Sequence, residues 1–406
     1  MSSSASTPTA GSLKVEPFRG GGLWMALGAL GAVFVLITVI VAMATDSRDA
    51  FYSYLVAFAY WCGIAFASVI LLMCFHATRA RWMTIMRRPV EAMATTMLVF
   101  IVLVIPIWLG MKQLYSWVDP VAAGFTGEAL AKIKHKAGWL SVNFFIVRSV
   151  AYILVATFLG WRLFGWSLRQ DREGGTDLLA RQRRFSSGGL PFVALAITFG
   201  GFDWMMSLNP TWYSTIFGVY YFAGSFLSAL SLLAIATWQA NLNGLFGGGM
   251  SIEHTHSIGK LMLAFTCFWT YIAFSQLLLI WIAGLPEETP FYITRFKDGW
   301  WELGVFLIVG HFFLPFGALL SRNLKRTPKR LAIVAMWILL IHYIDIYWLV
   351  VPSLHPEGAT FHWTQPIAFL GVGLIAVAFA VSRLRGRLPV PMRDPYLAES
   401  LRYRQP

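Results

Sequence analysis

The segment Leu331-Ala332-Ile333-Val334-Ala335-Met336-Trp337-Ile338-Leu339-Leu340-Ile341-His342-Tyr343-Ile344-Asp345-Ile346-Tyr347-Trp348-Leu349-Val350-Val351 holds one imidazole and one carboxylate in an otherwise apolar and aromatic run. At 1.5 Å per residue such a run crosses the roughly 30 Å hydrocarbon core of a bilayer, which takes about 20 residues. His342 and Asp345 are three apart and therefore share a helical face. Ionised groups cost about 2.5 to 3.5 kcal/mol at the bilayer centre, so both are expected to face protein rather than lipid.

Working outward, nine further runs of this kind appear, near 23–44, 53–76, 92–111, 139–161, 190–207, 213–238, 258–283, 300–320 and 364–382. Over the 406 residues, 57% are hydrophobic and only 13% charged, with a mean hydropathy of +0.63. An average soluble domain has about 25% charged residues. A cytosolic catalyst, a disulfide scaffold and a disordered chain are all excluded, and an all-α membrane protein with ten transmembrane helices is expected. Strict alternation of apolar and polar residues is absent, which sets aside a barrel. The first run ends in Ala42-Met43-Ala44, which resembles a signal-peptidase site. At about 22 residues, however, it exceeds the 7 to 15 of a signal core and reads as an anchor.

The net charge of +13 is distributed between the runs rather than on a soluble domain. Placing both termini inside puts 23 of the 32 Lys and Arg on the cytoplasmic side. That is the bias expected of a multi-pass membrane protein with both termini inside, and it leaves no case for nucleic acid. Residues 1–22, rich in Ser, Thr, Gly and Pro, read as a mobile cytoplasmic tail, and 383–406 as a basic cytoplasmic one. Cys62, Cys74 and Cys267 all lie in apolar stretches without a CxxC pair, which argues against zinc and c-type haem in this chain.

The sequence also repeats. A shift of 161 residues lays Tyr52-Ser53, Tyr60 and Gly63 on Tyr213-Ser214, Tyr221 and Gly224, and the same shift lays Lys136, Gly138 and Trp139 on Lys297, Gly299 and Trp300. The fifth and ninth runs end alike, in Ser207-Leu208-Asn209-Pro210 and Ser353-Leu354-His355-Pro356. Two parallel-repeat four-helix bundles are expected, helices 2 to 5 over residues 53–207 and helices 6 to 9 over 213–351, with helices 1 and 10 flanking them.

Among the ionisable residues inside the runs five stand out: Arg148 and Asp203 in the first bundle, His311, His342 and Asp345 in the second, at depths of about 8 to 17 Å from the outer ends. Each bundle sets a basic or titratable group against a carboxylate, which suits a proton relay as well as a buried ion pair that fixes helix register. Lys260, Cys267, Tyr271 and Ser275, with Gln276 beside them, recur at spacings of seven and four on the seventh run. Such a stripe can carry a proton through water or bond neighbouring helices together. His76 reads as interfacial, while His135, His254, His256, His355 and His362 fall in loops. Only His311 and His342 stand where a transmembrane b-type haem would take axial ligands.

Two longer stretches carry a family likeness. Phe202-Asp203-Trp204-Met205-Met206-Ser207-Leu208-Asn209-Pro210-Thr211-Trp212-Tyr213-Ser214-Thr215-Ile216-Phe217-Gly218 resembles a signature of the NrfD/PsrC-like membrane subunits. His254-Thr255-His256-Ser257-Ile258-Gly259-Lys260-Leu261, Tyr271-Ile272-Ala273-Phe274-Ser275-Gln276 and Leu285-Pro286-Glu287-Glu288-Thr289 bring the likeness closest to ActF, the second ten-helix subunit type of bacterial alternative complex III. It departs at Ser257, where related chains often carry an acidic residue. The resemblance implies a non-autonomous subunit of a quinol:cytochrome c or other electron-acceptor oxidoreductase in the respiratory chain, scaffolding the complex and offering a proton-translocation path. Its partners would be a paralogous NrfD-like subunit, an iron–sulfur subunit, c-type cytochromes and membrane lipids. Haem c and iron–sulfur clusters would sit on those partners, with quinone nearby and no cofactor on this chain. Asp203, Lys260, Tyr271, Ser275 and Gln276 carry over as motif positions. A secondary transporter, which also uses parallel repeats and midplane charges, and a purely structural subunit are the competing readings.

Overall fold

In the computed structural model, residues 13–297 and 299–404 are described. Ten helices are long and apolar enough to cross a membrane, the architecture of a multi-pass membrane protein: α1 Leu23–Ala44, α2 Arg48–Ala77, α3 Arg81–Leu109, α4 Val142–Glu173, α5 Asp177–Leu208, α6 Phe217–Leu242, α7 Ile252–Ala283, α8 Trp300–Leu320, α9 Pro328–Ser353 and α10 Thr364–Leu384. There is no strand among the described residues.

Local signals set several ends. Ser47 accepts a hydrogen bond from the Ala50 N–H at the start of α2, and Ser251 forms a reciprocal cap with His254 at the start of α7. Gly284, at φ +60°, closes α7 in a left-handed turn that a residue with a Cβ would resist.

α2 is apolar on every side, and it is buried almost throughout. That is the pattern of a helix surrounded by others. It packs against α3, α5, α6, α9 and α10, while α6 packs against α2, α5, α7 and α9. α1 is mostly exposed to the surroundings and lies along α10. Their backbones meet at Gly31 and Gly371, where a Cβ on Gly31 would stand 2.8 Å from the Gly371 carbonyl oxygen. Small residues give membrane helices this close approach, because lipid supplies no hydrophobic drive for helices to associate.

The expected spans hold, but several begin earlier or run longer. α3 starts at Arg81, α5 at Asp177, and α4 continues to Glu173, so the Arg-rich second and fourth connections are largely helix. Apolar counting stops at charge, and here the charge is inside. Arg87 and Arg88, expected in a basic loop, are buried with Glu91, Asp171 and Asp394. Arg87 contacts Glu91 at 2.9 Å and Asp394 at 2.5 Å; Arg88 contacts Glu91 at 2.8 Å and also pairs with Asp171. Mutual neutralisation lets α3 extend through them.

Of the expected N-terminal tail, residues 1–12 lie outside the described residues. From there on the chain is docked: Leu13 is buried, and Phe18 exchanges backbone hydrogen bonds with Gly386 and Arg387. The C-terminal segment is docked too, through Asp394 on Arg87 and through Ser400, whose hydroxyl donates to the Trp82 carbonyl at 2.7 Å.

Candidate functional site: two buried carboxylates

Asp203, near the end of α5, is fully buried and takes four hydrogen bonds. The Arg148 guanidinium on α4 donates to both carboxylate oxygens, from Nε to Oδ2 at 2.8 Å and from Nη2 to Oδ1 at 2.9 Å. Trp139 Nε1 donates to Oδ1 at 3.0 Å and the Tyr152 hydroxyl to Oδ2 at 2.9 Å. Arg148 spends a further donor on the Trp139 carbonyl, and its charge lies 4.1 Å from the Trp139 ring and 4.3 Å from that of Phe144. The centre is closed: opposite full charges, fork against fork, and no spare acceptor on the carboxylate.

Asp345 on α9 is equally buried but differently supplied. The Tyr220 hydroxyl of α6 donates to Oδ1 at 2.6 Å and Trp269 Nε1 of α7 to Oδ2 at 3.1 Å. Both are neutral donors, and no Lys or Arg pairs with Asp345 among the described residues. Arg295, in the short helix Pro290–Arg295, is buried nearby in sequence order to α8, yet donates to the carbonyls of Phe291, Trp348 and Leu349. Burial presses its guanidinium pKa down to about 9.

The group left to balance Asp345 is histidine. His342 Nδ1 lies 3.3 Å from Asp345 Oδ2, within ion-pair reach, although its alignment makes no hydrogen bond. The His311 ring lies 5.9 Å from that of His342 and 3.9 Å from that of Trp269. Neither nitrogen of either ring has a hydrogen-bond partner, and both residues are fully buried. Four unpaired imidazole nitrogens in one core are costly unless a proton or a ligand uses them.

Two local devices bring these rings together. Pro315 has no N–H to give the carbonyl of His311 four residues before it, and α8 widens to a π turn over Ile308–Phe313, a feature that recurs at functional sites. On α6, Gly224 leaves room for His342: a Cβ there would stand 2.5 Å from its Cε1.

His311, His342 and Asp345 each offer one ligand atom, and those three atoms lie within 4.8 Å of one another. The donor set of two imidazoles and one carboxylate is one that divalent metals such as zinc accept.

The structure gathers Arg148 with Asp203, and His311 with His342 and Asp345, in two separate centres. It does not add the α7 stripe to either. Lys260 and Cys267 are exposed, Tyr271 is 65% exposed and Ser275 is half-buried, so the stripe looks away from the core. Gln276 alone turns inward, with its Oε1 unpaired. His254 and His256, expected in a loop, lie in the first turns of α7, and His76 is buried in the last turn of α2.

Sequence reasoning missed Trp139, Tyr152, Tyr220 and Trp269. The available signal was that buried carboxylates require donors, and that Trp and Tyr carry them on apolar bodies. No protein-family model matches the chain, and comparison with curated proteins finds no match.

Proposed function

We propose that this chain is a membrane subunit of a quinol:electron-acceptor oxidoreductase of the alternative complex III type, and that the His311–His342–Asp345 centre is its proton-holding station. The observation that carries the proton role is the asymmetry between the two carboxylates. Asp203 meets a permanent cation at 2.8 Å, while Asp345 meets only imidazoles and neutral donors. In a medium of low dielectric a carboxylate without a permanent cation is costly, and this centre offers a neutralising proton three places, the carboxyl and two imidazoles. A centre with several sites for one proton can pass it on.

The complex itself rests on the motif likeness around Phe202–Gly218 and His254–Gln276, and on the two parallel four-helix repeats. Packing supports that repeat: α2 touches α5 and α9, while α6 touches α9 and α5. The matching ends of α5 and α9 also meet, where Asn209 Nδ2 donates to Ser353 Oγ at 3.2 Å. A two-fold arrangement along the membrane normal would bring equivalent ends together in this way.

On this reading the cytoplasmic side is the one bearing the Arg-rich connections and both termini, the membrane is a bacterial inner membrane, and the haem c and iron–sulfur centres belong to partner subunits. Arg148 with Asp203 favours a purely structural role for the first bundle. Purification from native membranes should bring down haem- and iron–sulfur-bearing proteins together with this chain. Its recovery as a lone, colourless polypeptide would overturn the proposal.

A further inference from the structure

A cavity of about 220 Å³ opens where α2 ends, α3 begins and α5 begins, on the side that carries the Arg-rich connections. It is smaller than the roughly 300–1,000 Å³ of sites for drug-sized ligands, which suits a headgroup. Its walls divide by chemistry. Phe75, Met83 and Leu179 form apolar wall, while Arg79, Arg81, Arg87 and Arg183 line it with Asp177 as the one carboxylate.

Two of those arginines are already used, Arg81 on Glu399 and Arg87 on Glu91 and Asp394. Arg79 and Arg183 make no ion pair among the described residues, and both are exposed at the mouth. Arg79 is held there by a left-handed backbone, φ +53°, which a non-glycine residue adopts only when its surroundings impose it. Deeper in, His76 lines the same cavity, is nine-tenths buried, and has an Nε2 without any partner. A buried polar atom without a partner, on a residue that lines a basic cavity, points to an absent acceptor.

We propose that this cavity binds the phosphate of an anionic phospholipid, with Arg79 and Arg183 supplying charge and His76 Nε2 a hydrogen bond. The position favours a lipid over a soluble anion. The cavity lies at the ends of membrane-spanning helices, part of its wall is apolar, and basic pockets between helices on the cytoplasmic side are sites where anionic headgroups bind. Inorganic phosphate offers the same oxygens without an acyl chain for Phe75 and Leu179 to meet.

The test uses the full chain, or the complex containing it, in phosphatidylcholine nanodiscs with and without phosphatidylglycerol, read by native mass spectrometry and thermal unfolding. One or more phosphatidylglycerol molecules should be retained, and the melting temperature should rise. Each arginine near an anionic headgroup is worth about a fivefold change in binding. The double variant Arg79→Ala/Arg183→Ala should therefore bind about 25-fold more weakly, while its stability in phosphatidylcholine alone stays that of the parent. Equal retention by parent and double variant would overturn the site. Stabilisation by millimolar inorganic phosphate alone, matching that by phosphatidylglycerol, would overturn the assignment to lipid.

Discussion

Arg148 holds Asp203 through two parallel hydrogen bonds of 2.8 and 2.9 Å, joining α4 to α5 in a region where neither charge could stand alone. Breaking a buried pair strands the surviving charge, at about 3 to 5 kcal/mol. Arg148→Leu should therefore shorten the lifetime of the purified protein at elevated temperature far more than an exposed substitution such as Arg169→Leu. The double variant Arg148→Met/Asp203→Leu should recover part of the loss, because no charge is left unpaired. Recovery stays incomplete, since Trp139 Nε1 and the Tyr152 hydroxyl lose their acceptor.

Gly31 and Gly63 test what close helix approach requires. A Cβ on Gly31 meets backbone, 2.8 Å from the Gly371 oxygen and 2.9 Å from the Ile375 nitrogen, and neither can yield without moving a helix. On Gly63 the first obstacle is the Ser225 hydroxyl at 2.3 Å, a short side chain that can rotate, followed by the Tyr221 hydroxyl at 2.9 Å. Gly31→Ala should cost about 1 to 3 kcal/mol, the range for overpacking, and Gly63→Ala less. Thermal unfolding of the two variants side by side ranks them.

The connection after α9 carries a pH-dependent tie. His355 Nε2 lies 2.7 Å from Asp49 and its Nδ1 3.0 Å from Glu357. Partial burial opposes its charge most strongly, but the hydrogen bonds to the two carboxylates outweigh burial and raise its pKa above the ordinary 6.5. A pKa raised on folding adds stability that is complete below about 6.5 and is lost as pH climbs through the higher folded value. The pair is partly exposed, so the gain stays under about 1 kcal/mol. His355→Gln should melt below the parent at pH 5.5 and level with it at pH 9; an equal gap at both pH values would contradict the tie.

The outward aim of the α7 stripe has a consequence for proton movement. Tyr271 is largely exposed and Ser275 half so, and neither touches the Asp345 centre. Tyr271→Phe with Ser275→Ala should leave turnover and proton yield of the assembled complex within about twofold of the parent. A tenfold fall in proton yield at unchanged assembly would return these residues to the path.

Ten spans were readable because bilayer thickness imposes one length on every apolar run, and the pairing of Arg148 with Asp203 was readable because charge in lipid must find charge. What was not readable depends on three-dimensional neighbours. Arg87 and Arg88 look like a loop until Asp171 and Asp394, far along the chain, arrive to neutralise them. The π turn that aims His311 arises from Pro315, an ordinary residue in membrane helices whose effect depends on packing. Spacing on α7 placed Lys260, Tyr271 and Ser275 on one face but said nothing of which way that face turns.

The proton-holding role of Asp345 is tested most directly by the number of protons moved per electron in proteoliposomes containing the assembled complex, comparing Asp345→Asn with the parent. Asparagine keeps one oxygen to accept from Trp269 Nε1 and turns its NH2 to the Tyr220 hydroxyl, which can accept, but it cannot carry the charge that calls for a proton. Assembly with partner subunits should persist while the proton yield per electron falls. An undiminished yield in a fully assembled Asp345→Asn complex would contradict the role.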